Sequence, residues 1–104
     1  MDLTRAITQA EHRSAAYVVG PADGSYLYKG SARDLHERLA DHHAGRVSRT
    51  KNRRPLALLF HRYFAGYGEA RQFEAYLKTG VGREWLRDHC SNRGPTVPPE
   101  ADPP

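Results

Sequence analysis

YLYKGSARDLHERLADHHAG, Tyr26 to Gly45, is the stretch that decides the fold. Tyr26, Leu27 and Tyr28 favour a strand. Gly30 is expected to break it. Ser31, with Asp34 three residues later, has the capping-box spacing of a helix N-cap, and Gly45 is a natural helix stop. Leu35, Arg38, Leu39 and His42 fall at i, i+3, i+4 and i+7, so they share one side of that helix. Two of those four inward positions hold Arg and His. A guanidinium is costly to bury unless paired. Arg38 is therefore expected to line something wet, anionic or catalytic.

Immediately upstream, Ala15 to Gly20 (AAYVVG) reads as a strand and Pro21-Ala22-Asp23-Gly24 as a turn. Residues 25–29 form the second strand. A four-residue loop sets Gly20 against Ser25 and therefore Tyr17 against Tyr28, on one face of the hairpin. The pair is either an ordinary aromatic cross-strand contact or two phenols presented to a site. Residues 1–14 read as a short helix or lead-in with little to bury.

Downstream, Arg46 to Arg54 (RVSRTKNRR) holds five basic residues and no acid. Its small polar spacers argue for a loop. It is either a solvated surface or a phosphate-contacting arm carrying Arg46, Arg49, Lys51, Arg53 and Arg54. Leu56 to Phe64 reads as a strand, and its continuous apolar start predicts the central place in a small sheet. Glu69 to Thr79 reads as a helix with Ala70, Phe73 and Leu77 as its apolar stripe. Glu74 lies about 40° from Ala70, inside that stripe. Such a carboxylate is either salt-bridged to a neighbouring Arg or serves as a metal ligand or general base. Gly80-Val81-Gly82 is expected to break this helix, and residues 83–89 to form a short one anchored by Trp85 and Leu86.

The 104 residues suit one domain, at 15–90, between a lead-in at 1–14 and a Pro-rich tail at 91–104. That tail is expected to be disordered or extended. The formal charge is +4; residues 94–104 carry two acids and no Lys or Arg, so the other 93 residues hold 16 basic and 10 acidic groups, a net of +6. So basic a domain suggests a polyanionic partner. No apolar run approaches a membrane span. The first residues lack signal-peptide character and there is one cysteine, Cys90. A cytoplasmic location is expected.

The fold class expected is α+β, with a three-stranded antiparallel sheet flanked by helices. There is no Cys/His zinc pattern, P-loop or dinucleotide fingerprint. Phenols, a guanidinium, an imidazole and one carboxylate suit metal-assisted attack of water on a phosphodiester, because Mg²⁺ accepts one or two protein oxygens and keeps its waters.

Over about residues 15–88 the chain resembles the GIY-YIG nuclease domain. Tyr17 stands where the GIY tyrosine belongs and Tyr28-Lys29-Gly30 where YIG belongs. GSARDLHERLADH matches the helix, with Arg38 at the catalytic arginine and His42 one turn later. EARQFEAYLK matches the segment with the metal-binding glutamate, Glu74. Lys51 to Pro55 and GVGREWLR resemble the small single-domain bacterial branch. Two positions depart: the GIY triplet is Ala15-Ala16-Tyr17, and Lys29 replaces the isoleucine of YIG. By alternation Lys29 points away from Tyr28.

The resemblance implies a divalent-metal-dependent DNA endonuclease with Tyr17, Tyr28, Arg38, His42 and Glu74 as catalytic residues. Glu74 would hold one Mg²⁺ or Mn²⁺. A Tyr17 base would need a lowered pKa or a proton relay to His42. Structure preference rather than strong sequence preference is expected, as a monomer or weak homodimer. The alternative is a non-catalytic nucleic-acid-binding module or a subunit of a DNA repair or recombination assembly. A third possibility is an interaction domain using the Pro-rich tail.

Overall fold

A computed structural model describes residues 1–90; the reading of the Pro-rich tail lies outside them. The elements run α1 (Leu3–Gln9), β1 (Ala15–Gly20), β2 (Tyr28–Ala32), α2 (Leu35–Ala44), α3 (Ser48–Lys51), β3 (Ala57–Tyr63), α4 (Tyr67–Leu77) and α5 (Gly80–Cys90). The strands form one antiparallel sheet in the order β2-β1-β3. This is the expected α+β architecture.

All six residues of β1 are buried, because the central strand is covered on both faces. Ala15, Tyr17 and Val19 pack with Leu3, Ala6, Leu35 and Leu39, beneath α1 and α2. Ala16 and Val18 pack with Phe60, Phe73, Leu77 and Leu86, beneath α4 and α5. The period-2 alternation of a strand thus divides the core into two layers.

Several local expectations are corrected. The central strand is β1, and β3 is at an edge. The apolar run in β3 has two causes. A bulge in the β1–β3 pairing lets Leu59 and Phe60 join the same layer, while Leu56 and Leu58 enter the other. The chain start covers the outer edge: Leu58 N–H donates to the Met1 carbonyl (2.7 Å) and Leu3 N–H to the Leu56 carbonyl (3.2 Å). The lead-in is therefore a packed helix with Leu3 and Ala6 buried.

The hairpin loop is longer than the turn signal suggested. Val19 pairs with Tyr28 and Tyr17 with Gly30. Tyr17 and Tyr28 still share a face, as diagonal rather than directly opposed neighbours. Gly30 lies inside β2. Asp34, not Ser31, caps α2: its carboxylate accepts from Glu37 N–H (3.0 Å), and Gly45 closes the helix at φ 80°. Asp34 and Glu37 offer the same capping spacing three residues later, which frees Ser31 for the strand.

Gly80-Val81-Gly82 starts α5 rather than only ending α4. A Cβ at Gly82 would lie 1.8 Å from the Tyr76 carbonyl oxygen. That glycine is there for close passage of two helices. The basic run is not all loop, since α3 turns Val47 and Thr50 inward. No helix among the described residues is long and apolar enough to cross a membrane.

Candidate active site

Tyr17 projects from the middle of β1 and is 0% exposed. Its ring lies over Gly30 of the paired strand: a Cβ there would stand 2.5 Å from the phenol oxygen. The phenol oxygen reaches His42 Nε2 at 2.8 Å. His42 Nδ1 lies 2.8 Å from Thr50 Oγ1, which donates to the Val47 carbonyl at 3.4 Å. His42 and Thr50 are the two buried polar residues among those described. Arg38 Nε donates to the Tyr17 oxygen at 3.4 Å.

Counting protons orders this chain. If Tyr17 O–H donates to Nε2, His42 Nδ1–H donates to Thr50, and Thr50 O–H donates to Val47, every proton has an acceptor. The other tautomer leaves the Tyr17 O–H proton without a protein acceptor among the described residues. The imidazole is therefore neutral, with its Nε2 lone pair aimed at the phenol. Thr50 sets that tautomer. Sequence reading missed it because it sits among cations; the signal was the i, i+3 pair Val47 and Thr50, the inward side of a one-turn helix.

Tyr28 completes the aromatic wall, its ring centroid 6.4 Å from Tyr17 and 5.2 Å from His42. Arg38 is half-exposed at the mouth, with Nη1 3.8 Å from Asp41. It sits at the water boundary rather than in the core.

Burial pushes the Tyr17 phenol well above its ordinary value; Arg38 opposes this only in part, and Tyr28 and Glu74 add to it. A Tyr17 acting by itself as base would need the opposite shift, whereas the 2.8 Å contact with His42 Nε2 offers the phenol proton a path. Burial first, then the Arg38 charge, lowers His42 to about 4.

That shift makes stability pH-dependent. The unfolded imidazole, near 6.5, takes its proton first as pH falls. His42 therefore contributes stability that is full above pH 6.5 and lost towards pH 4, up to roughly 3 kcal/mol. His61, also lowered by burial, acts in the same direction. Urea unfolding is expected to show falling stability across this window. His42→Asn should flatten the profile; an unchanged slope would remove His42 as its cause.

Glu74 approaches from the other side of the sheet. Ser31 alternates with Gly30 on the edge strand β2, and its Oγ donates to Glu74 Oε1 at 2.5 Å. Oε2 accepts from Lys78 Nζ at 2.6 Å. The Glu74 side chain is 21% exposed and close enough for its charge to raise Tyr17. The five residues thus gather around the β2 edge. A separate grouping, His12, Asp34 and Glu37, holds its ligand atoms within 4.8 Å of one another. Asp34 commits one oxygen to the α2 cap and the other to His12 (2.8 Å), so this grouping is a helix-end arrangement.

The basic arm divides. Arg46 pairs with Asp41 (2.9 Å), and Arg54 donates to the carbonyls of Lys51 and His43. Arg53 lies 4.0 Å over the Tyr26 ring. Arg49 and Lys51 are exposed.

The sequence pattern of the GIY-YIG catalytic domain matches residues 14–85. The chain belongs to the GIY-YIG family. It is also similar to small UPF0213 proteins. The identity is 43% with one from Bacillus pumilus, over 66% of this chain and 70% of that protein. It is 43% with one from Bacillus subtilis, over 60% and 63%, and 36% with one from Staphylococcus aureus, over 68% and 87%. The chain thus spans less than two thirds of the Bacillus subtilis protein. No solved structure matches it. In this GIY-YIG domain, Lys29 lines a cleft of about 260 Å³ with Leu27, Leu59 and Leu86. Those leucines pack in or border the α4/α5 layer, away from Tyr17.

Proposed function

We propose that this protein is a divalent-metal-dependent endonuclease that hydrolyses DNA phosphodiester bonds, with preference for DNA structure over sequence. The single observation that carries this is the directed chain Tyr17–His42–Thr50, opening beside Arg38 and with Glu74 around the strand edge. Family membership supports nuclease chemistry and DNA as the substrate class.

The residues fit one hard dication. Glu74 is a half-buried carboxylate, and its Lys78 partner is a long side chain that is 56% exposed and can swing away. One carboxylate suits Mg²⁺ or Mn²⁺, which keeps most of its waters. When bound, such an ion offsets the negative charge that develops on the phosphate and the leaving oxygen.

The chain's own groups supply the rest. Arg38 donates to a non-bridging phosphate oxygen, and Tyr28 hydrogen-bonds the same group. Tyr17 holds the attacking water. As the water oxygen bonds to phosphorus, the bond from phosphorus to the leaving sugar oxygen breaks; the water proton moves to the Tyr17 oxygen, the phenol proton moves to His42 Nε2, and the leaving oxygen takes a proton from solvent. The entering anionic phosphate offsets the Arg38 charge, the second of the two causes after burial that depress His42, and so raises its basicity when the proton arrives. Arg49, Lys51 and Arg53 contact backbone phosphates without reading bases.

The test is a gel assay of end-labelled single-stranded, duplex, flapped and four-way DNA. Cleavage is expected with Mg²⁺ or Mn²⁺, abolished by EDTA and restored by excess metal. Salt-sensitive binding with no cleavage of any form would overturn the enzyme and leave a binding module.

A further inference from the structure

Helix α4 carries a second pattern besides its apolar stripe. Tyr67, Arg71, Glu74 and Lys78 stand at i, i+4, i+7 and i+11, which confines them to an arc of about 60°. The Ser31–Glu74 hydrogen bond fixes this strip against the β2 edge. Arg33, two residues beyond Ser31, reaches the strip's start, where its guanidinium lies 4.3 Å over the Tyr67 ring centroid. Arg71 approaches the same ring at 6.0 Å.

We propose that Arg33, Tyr67 and Arg71 form a subsite for the phosphate backbone of a nucleic-acid strand that continues past Glu74. This rests on the nuclease reading above and says where the strand runs. Both guanidiniums are exposed and neither pairs with a carboxylate among the described residues. Stacking on Tyr67 holds the Arg33 guanidinium in place and leaves its N–H edges free, the geometry that grips a phosphate through two parallel bonds, with Arg71 at the outer range of the same ring. Ordering these side chains before binding lowers the entropy lost on binding.

Position sets the direction. Tyr67 is seven residues before Glu74, about 10 Å along the helix. A strand whose scissile phosphate lies at Glu74 and Arg38 has its flanking backbone over Arg33 and Arg71. The basic run at 46–54 lies after α2, with Arg46 and Arg54 already bonded within the protein. Arg53 is also held on a ring, Tyr26; the strip beside Glu74 differs in bringing two guanidiniums to one ring next to that carboxylate.

The experiment is fluorescence anisotropy of a labelled duplex oligonucleotide, titrated in EDTA across a salt series. Wild type is compared with Arg33→Ala/Arg71→Ala and with Arg5→Ala/Arg83→Ala, which removes equal charge elsewhere. Circular dichroism checks that all three are folded. The strip variant is expected to bind at least about tenfold more weakly at low salt. Its plot of log affinity against log salt should be shallower by about 2, the loss of two phosphate contacts. Arg33→Lys/Arg71→Lys, which keeps charge without the planar stack, should fall between.

Equal losses in the strip and control variants, or none in the strip variant, overturn the subsite while leaving nuclease activity to stand on its own assay. Loss confined to the strip variant in a protein that never cuts DNA keeps the subsite and overturns the catalytic reading. A wild type that binds no DNA overturns both.

Discussion

Replacing Glu74 by glutamine is expected to lower DNA cleavage by at least about 100-fold, with the fold and DNA binding intact. The size follows from removing the carboxylate at the β2 edge that is proposed to hold the cation. Loss of a single preorganised contributor to transition-state charge typically costs that much or more. The small effect on folding follows from the contacts. Glutamine keeps a carbonyl oxygen where Ser31 Oγ donates to Oε1. The lost Lys78 pair is between a half-buried carboxylate and a side chain 56% exposed, worth no more than about 1 kcal/mol. A melting shift of a few degrees at most should accompany the loss. Initial rates in Mg²⁺, anisotropy in EDTA and a thermal melt check the three statements. Rates within threefold of wild type would show that the cation is held elsewhere.

How far the site was legible in the sequence depends on which physical signal each residue gives. Arg38, His42 and Glu74 were visible because each breaks an apolar period on a helix, and helical period survives small errors at the ends. Tyr17 and Tyr28 were placed on one face although the register was two residues off. A shift of two leaves parity unchanged, and parity alone decides the face of a strand. Ser31 and Asp34 both carry cap-forming side chains, and local chemistry does not choose between them. The choice comes from the β2 pairing, which draws Ser31 into the sheet and hands its hydroxyl to Glu74.

Thr50 and the order of the strands were hidden for a different reason. The inward turn of Thr50 depends on α2 delivering His42 above it, a contact between elements that composition does not record. The apolar run of β3 looked central because burial was attributed to flanking strands. Here a bulge and the chain's own first residues cover the edge. Gly30 illustrates the same limit. It was read as a breaker, whereas its role is the space that it leaves for another strand's side chain.

Gly30→Ala should consequently damage both stability and activity more than its single methyl group suggests. The backbone there needs no glycine for conformation: among the described residues the positive-φ glycines are Gly24 and Gly45. The added Cβ would lie 2.5 Å from the Tyr17 phenol oxygen, 2.6 Å from Cζ and 3.0 Å from Cε1. All three atoms belong to a side chain that is 0% exposed and hydrogen-bonded at its tip to buried His42. The ring has Leu35 and Leu39 in its own core layer, so it cannot retreat without unpacking α2. Overpacking costs about 1–3 kcal/mol, and parting the phenol from His42 strands a buried donor or acceptor for roughly 1–3 more. We expect destabilisation of about 2–6 kcal/mol in urea unfolding and cleavage below detection. Adding Tyr17→Phe separates the two losses. Removing the hydroxyl relieves the 2.5 Å clash but not the one at Cζ, so the double variant should regain part of the stability and none of the activity. If Gly30→Ala is as stable as wild type, the ring has room that this geometry denies it, and the relay from Tyr17 to His42 is not held where cleavage requires it.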